Sequence, residues 1–481
     1  MTHYDIALIG SGSGNSLPGP ELQDRSIVYI DRGVGPDRVF GGTCLNMGCI
    51  PTKMFVHTAE VASAPREAPR LGLAQTLDGV DWPAIRDRIF AHIDPKSAAG
   101  LAYRTDHPDN ANLTYIHGTA RFRSAHELQV DLAHGGQKTI TADSIVIAAG
   151  SRPQIPPIEG LEQCDPHTSD TIMRIDELPR SLMILGAGVI AAEMAHIFAA
   201  LGVEVTILAR GPRLLRHEDE DIARLVTEQL GERCTILTGV EFDSAHRTDA
   251  GVEITGRSAG EDLAVRADEV LVATGRRANT DLLDVAAAGI ATRKDGTIRT
   301  DAYQRVLGED GAVIEGLWAL GDVADPHQLK HVANHQLRIV RHNLLHPEDL
   351  RRSDTMPLTY GIFTHPAVGV VGVTEAEARR EAEQSGREIV VARQYYRDIA
   401  YGWALEDTTS FAKIVADAAT GELLGAQVAG PQATTLVQLV TQAMSTGQKA
   451  QDIASTQYWI HPALTELIEN ALLQISPRDR D

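Results

Sequence analysis

Tyr4-Asp5-Ile6-Ala7-Leu8-Ile9-Gly10-Ser11-Gly12-Ser13-Gly14-Asn15 is a short apolar run that breaks into a glycine-rich turn. A run of this length bounded by glycine reads as a buried strand. The spacing Gly10-x-Gly12 lets backbone approach a pyrophosphate, and the helix N-terminus that follows such a turn supplies N–H donors and positive potential. Asn15 stands where a third glycine or alanine is usual, and Pro18 and Pro20 fall where the first helix should run, so that helix is expected to be short or displaced. A second apolar run, residues 26–30, ends in Asp31. A carboxylate about 20 residues beyond the turn accepts hydrogen bonds from ribose hydroxyls and suits an adenosine without a 2′-phosphate. A third run, residues 144–148, ends in Ala149-Gly150, and the stretch 154–160, which carries three prolines counting Pro153, reads as a linker.

The pattern then restarts. Residues 181–185 form an apolar run, followed by Gly186-Ala187-Gly188-Val189-Ile190-Ala191-Ala192-Glu193 and a helical stretch of Ala, Met, Ile and Phe. This matches the dinucleotide fingerprint more cleanly than the first unit does. After the next strand, residues 204–208, no acid stands at the strand end. Arg210 does, with Arg213 and Arg216 close by. Guanidinium groups there suit the 2′-phosphate of NADP, although a solvated arginine cluster is the plainer alternative. A strand at 269–272 leads to Ala273-Thr274-Gly275-Arg276. An acid in one unit and arginines in the other imply two different dinucleotides. A further strand at 316–320 precedes Gly321-Asp322, and His331 and His335 stand four apart at the start of a helix whose positive end is expected to face the first cofactor. Val332 and Ala333 replace the glutamate of a zinc peptidase motif, so no metal is expected there. Beyond about residue 357, strand-like stretches (412–415, 424–428) alternate with helical ones (375–383, 434–445), as in an α+β domain.

With 481 residues the chain is long enough for about three domains. Lys and Arg number 44 against 65 Asp and Glu, a net charge of −21, and no basic patch offsets it, which argues against a nucleic-acid partner. No apolar run is long enough to span a bilayer. The polar start, residues 1–5, enters a strand at once, so no signal peptide is expected. Four cysteines are too few for a secreted disulfide scaffold and point to the cytoplasm.

Two of them sit five apart in Gly41-Gly42-Thr43-Cys44-Leu45-Asn46-Met47-Gly48-Cys49-Ile50-Pro51-Thr52-Lys53. Three readings compete. A metal site would need two further ligands and lacks the usual C-x2-C spacing. A structural disulfide across so short a loop would stabilise little. A redox pair beside a flavin, passing electrons on by thiol–disulfide exchange, fits best, with Lys53 favouring the thiolate. Cys164 and Cys234 are isolated and read as buried apolar side chains. Near the C-terminus, His461 and Glu466 can form a pair in which the carboxylate orients the imidazole as a proton donor. From spacing alone, a structural histidine is the better reading.

Taken together, these residues resemble the pyridine nucleotide–disulfide oxidoreductases, the family of glutathione reductase and dihydrolipoamide dehydrogenase. The resemblance rests on Gly-Gly-Thr-Cys-x4-Cys-Ile-Pro-x-Lys, Gly-x-Gly-x-x-Ala-x-Glu, Ala-Thr-Gly-Arg, Leu-Gly-Asp and His-Pro-x4-Glu, spread over the chain. It implies two Rossmann-like dinucleotide-binding domains plus a C-terminal α+β dimerisation domain. The expected division is 1–155 for FAD, 156–278 for NADPH, 279–350 completing the FAD domain and 351–481 for the interface. By this likeness FAD is held by Ser13, Gly14, Asp31, Thr43 and Asp322, with Gly10, Gly12, Gly42, Gly150 and His331 completing its set. NADPH lies on Gly186, Gly188, Ile190, Glu193, Gly275, Arg210 and Arg216. Lys53 pairs with Glu193 beside the flavin. Cys44 attacks the substrate disulfide, Cys49 stays against the flavin, and His461, backed by Glu466 and supplied by the partner of a homodimer, protonates the leaving thiol. Residues 329–335, 400–404 and 458–464 match one branch of the family, which implies mycothione, a bulky sugar–inositol disulfide, as substrate. Asn15, Pro18 and Pro20 depart from glutathione reductase, the absence of a cysteine after Cys234 departs from mercuric reductase, and Arg210 departs from NADH-linked dihydrolipoamide dehydrogenase. A flavin-binding redox sensor without turnover is the rival of another class.

Overall fold

The computed structural model describes residues 2–475. Met1 and the charged tail 478–481 lie outside the described residues. The opening apolar run is the strand Thr2–Ile9, and it lies in the parallel part of a mixed seven-stranded sheet. Ile27–Asp31 pairs with it on one side (Leu8 beside Tyr29), and Gln137–Ile147 on the other (Leu8 beside Val146). Leu113–Ser124 extends the sheet beyond the second strand, and Val313–Ala319 returns from far along the chain to pair in parallel beside Gln137–Ile147. Both faces of this sheet are covered, which is why Ile27–Asp31 is buried at every position and shows no polar alternation.

The first helix is not merely short or displaced: no α-helix follows the first glycine turn. Two 3₁₀ turns, Ser13–Ser16 and Pro20–Leu22, stand in its place. Pro20 has no N–H to donate, and Gly19 before it is extended. The turn is held from outside. Arg104 Nε donates to Asn15 Oδ1 at 2.9 Å, Arg104 also bonds the Asn15 carbonyl, and Arg341 reaches the Ser16 carbonyl at 3.0 Å. Asn15, out of place in the fingerprint, is thus the anchor of a helix-less turn.

The second unit is regular. Ser181–Leu185 pairs in parallel with Glu204–Leu208 and Glu269–Val272, and Thr235–Leu237 closes the edge. The helix Val189–Ala200 starts directly at the glycine turn. The third unit is a five-stranded antiparallel sheet carrying Thr359–Ile362, Val368–Gly372, Leu423–Ala429, Phe411–Asp417 and Ile389–Tyr395 in that order. Helices Ala433–Ser445 and Glu466–Leu473 pack on it. One apolar cluster joins the three units: Phe55 stacks on Trp82 at 5.2 Å, Trp82 meets Phe198, and Ile362, Val368 and Phe411 belong to the same cluster. The helices that carry the candidate site are therefore fixed relative to one another by buried apolar surface. No described helix is long and apolar enough to cross a membrane.

Candidate active site

The cysteines sit on two consecutive helical pieces. Cys44 lies in the short helix Gly42–Asn46, and Cys49 is the first residue of Cys49–Glu67. Between them the chain turns back on itself: Met47 N–H donates to Thr43 O and Thr52 N–H to Gly48 O. A Cβ on Gly48 would come within 3.0 Å of the Thr43 carbonyl, so this reversal suits glycine. The reversal lets two residues five apart meet, and the Cys44 thiol donates to the Cys49 sulfur. That hydrogen bond, joined by the positive charge of Lys53, pulls Cys49 down to about 7 and pushes Cys44 up. The helix N-terminus at Cys49 acts in the same direction.

Lys53 lies one turn further along, and its Nζ is 2.7 Å from Glu193 Oε1. Glu193 is buried in the first turns of the helix Val189–Ala200, so the pair bridges two units. A third unit joins them. The Phe363 N–H donates to the same Glu193 oxygen at 2.9 Å, and Lys53 Nζ stands 4.0 Å from the centre of the Phe363 ring. Sequence reading missed Phe363, since no periodicity or spacing links it to residues far away in the chain. One turn beyond Glu193, His196 is fully buried with both ring nitrogens unpartnered and stacks on His365. Burial drives it down to about 3, so it stays neutral.

Around the first glycine turn the residues fit an adenine dinucleotide. Gly42 has φ +74°, and a Cβ there would lie 2.4 Å from Gly12 Cα, so the cysteine loop and the glycine turn touch through backbone alone. Gly41 N–H donates to Ser11 Oγ at 2.9 Å and secures that contact. Buried Asp31 accepts from Ser11 N–H through Oδ1, while its Oδ2 has no partner. An unpartnered buried carboxylate oxygen at a strand end is what a ribose hydroxyl requires. Burial raises its pKa, opposed by the bond from Ser11. Gly150 has φ +67° and open space where a Cβ would point. Asp322 accepts from Ser151 Oγ at 2.7 Å. Lys330 opens the helix Lys330–Leu345 and donates to Ser13 Oγ at 3.1 Å. The His331 side chain is turned away onto the Thr359 carbonyl at 2.6 Å, which leaves its first-turn backbone N–H as the part able to serve a ligand.

The second turn fits a dinucleotide as well. Gly186, at φ +138°, backs onto the Ala273 carbonyl, where a Cβ would clash at 2.2 Å. Gly188 and Gly275 face open space, and the helix N-terminus at Gly188 has no side-chain cap. Ile190 lies half-buried in the first turn of that helix. Of the arginines, Arg213 is 3.6 Å from Glu220. Arg210 and Arg216 are exposed and have no carboxylate partner among the described residues, so both remain able to pair with a phosphate.

His461 and Glu466 come together: Nδ1 lies 2.7 Å from Glu466 Oε1, and Glu466 also accepts from the Ala463 N–H. Glu466 is an acceptor only, so Nδ1 carries the hydrogen and Nε2 is free for proton exchange. The His461 side chain is 69% exposed. The hydrogen bonds of this segment lie within residues 454–469, and none reaches the cysteines. Tyr458 and Ile460 beside it are exposed, as is Trp403.

The family profile of the pyridine nucleotide-disulphide oxidoreductases matches residues 4–337, and that of the same family's dimerisation domain matches residues 358–472. The chain is 42% identical over 480 residues, 98% of its own length and 99% of the relative's, to mycothione reductase of Mycobacterium tuberculosis. It is 32% identical over 470 residues, 96% and 94% of the two chains, to mercuric reductase of Streptomyces lividans. Among solved structures, the HOCl-induced flavoprotein disulfide reductase RclA from Escherichia coli superposes with a TM-score of 0.82 at 27% identity, covering 98% of this chain and 99% of that one.

Proposed function

The chain belongs to the pyridine nucleotide-disulphide oxidoreductases, and from that premise we propose that it reduces mycothione with NADPH. It is an FAD-dependent enzyme whose cofactors are FAD and NADPH. The observation that carries the substrate reading is the similarity to mycothione reductase along nearly the whole of both chains. We divide the chain into 1–155 (FAD), 156–278 (NADPH), 279–350 (FAD, completing the sheet) and 351–481 (interface).

Bound FAD supplies a two-electron relay from NADPH to the Cys44–Cys49 disulfide. Ser13, Gly14, Asp31, Thr43 and Asp322 hold it, and the Lys53–Glu193 pair keeps a positive charge beside Cys49. Once the pair is reduced, His461 Nε2 takes the proton from the Cys44 thiol, and the Cys44 sulfur attacks one sulfur of the substrate disulfide. A mixed disulfide forms, and the first thiol leaves with a proton from His461 Nε2. The Cys49 thiolate, held down by Lys53, then attacks the Cys44 sulfur, restores the disulfide and expels the second thiolate, which takes its proton from water. Two electrons enter and two thiols leave. His461 is supplied by the partner subunit of a homodimer, which fits its exposure and the exposed Tyr458, Ile460 and Trp403 around it. The low cysteine content fits a reducing compartment, the cytoplasm.

Steady-state NADPH oxidation with mycothione, glutathione disulfide and lipoamide side by side tests the reading. Turnover with mycothione at least about a hundredfold above the other two is expected, as is a preference for NADPH over NADH. Efficient turnover of lipoamide with NADH would replace mycothione by lipoamide and remove the role given to Arg210 and Arg216.

A further inference from the structure

The segment that carries the arginines is clamped from two sides. On the side of the second glycine turn, Leu215 N–H donates to the Ala187 carbonyl at 2.7 Å, and Leu214 and Leu215 are buried. At its other end it is bonded to the dimerisation domain. Tyr360 Oη donates to Glu218 Oε2 at 2.7 Å. Lys413 Nζ lies 2.5 Å from Asp219 Oδ1, 2.7 Å from Asp221 Oδ2 and 3.0 Å from Glu375 Oε2. The Glu375 N–H donates to Asp219, and Arg393 reaches Asp221. Lys413 is 1% exposed on the strand Phe411–Asp417, so its charge persists only because three carboxylates surround it.

This arrangement does two things for an anion bound by Arg210 and Arg216. It fixes the middle and the C-terminal end of the loop, so part of the ordering cost of presenting the two guanidinium groups is met before binding. It also neutralises Asp219 and Asp221, which would otherwise repel a phosphate close by. We propose that Tyr360 and Lys413 are positioning residues for recognition of the adenosine 2′-phosphate, acting through the loop rather than by contact. The inference rests on the reading of Arg210 and Arg216 as the phosphate ligands, and it makes cofactor choice depend on a domain that does not itself carry the nucleotide site.

Calorimetric titration of the full-length holoenzyme with 2′,5′-ADP and with 5′-ADP tests it. Tyr360→Phe is expected to weaken 2′,5′-ADP about threefold and Lys413→Met about tenfold or more, with 5′-ADP within about twofold of the parent for both. Lys413→Arg keeps the charge and is expected to recover most of the affinity. If Lys413→Met does not fold, Tyr360→Phe, which loses a single hydroxyl, decides alone. Equal losses for both ligands, or none, overturn the proposal. An Arg210→Ala, Arg216→Ala double variant separates the two levels. If it loses 2′,5′-ADP binding while the Tyr360 and Lys413 variants do not, the positioning role is wrong and the arginine reading stands. If the double variant binds both ligands as before, the arginine reading fails and the positioning role with it.

Discussion

Cys49 and Cys44 share one proton. The bond from Cys44 and the charge of Lys53 favour the anion on Cys49, while Cys44 holds the hydrogen. The pair as a whole therefore loses its first proton near pH 7, below the ordinary thiol range. Titration of the ultraviolet thiolate absorbance of the reduced protein, taken as a difference against Cys49→Ser, is expected to show a midpoint near 7. In Lys53→Met the midpoint should rise by about one unit, because the nearby positive charge is gone. An unchanged midpoint would mean that Lys53 serves Glu193 alone. The cysteine spacing and Lys53 were legible in the sequence, because all three lie within one loop and one helical turn. The partnership with Glu193 came only from the resemblance, and the shared bond from Phe363 was not legible at all, since 170 residues separate it from Glu193.

At the scale of elements, the two nucleotide units differ at their turns. The second has a helix directly after its glycines, and the first has two 3₁₀ turns braced by Arg104 and Arg341. On the proposed reading, the first cofactor relies more on the cysteine loop, which meets the turn at Gly12 and Gly42. Gly42→Ala places a methyl 2.4 Å from Gly12 Cα at a residue with φ +74°. The purified variant is expected to retain less than about a tenth of the parent's bound flavin, judged by the ratio of visible to ultraviolet absorbance, since backbone on both sides cannot yield cheaply. Full flavin content would show that the two loops separate without loss. Short buried strands were read from the sequence closely: residues 181–185, 204–208 and 269–272 all carry strands with those bounds. The 25-residue helix Trp82–Asp106 escaped notice. It has Pro83 in its first turn and Pro95 within it, and Ser97 and Arg104 are buried beside Trp82, Ile89, Phe90 and Ile93, so no clean apolar stripe marks it.

At the scale of the whole molecule, the proposed reaction draws its proton from His461, a side chain that this chain presents outward. If His461 serves the partner's cysteines, mixing Cys44→Ser chains with His461→Ala chains under exchange conditions should restore activity that neither has alone. Random pairing makes half of the dimers mixed, each with one intact site, so about a quarter of the parent rate is expected. No recovery in a mixture shown to contain mixed dimers would place His461 and Cys44 in the same chain's site.

By itself the sequence determined what is local. It settled the strands that run into glycine turns, the absence of an acid after the second unit's strand, the cysteine pair within a single loop, and the histidine five residues from its glutamate. These follow from covalent spacing and from the periodicities of strand and helix, which act over a few residues. Tertiary structure decided which of those pieces face one another: Lys53 on Glu193 across 140 residues, Phe363 closing the same pair, Asn15 as the brace of a turn, and Lys413 buried among carboxylates from another unit. Such contacts depend on how apolar faces pack, and many side chains of equal chemistry could have met there. Only the packed core, through the cluster that joins Phe55, Phe198 and Ile362, selects the ones that do.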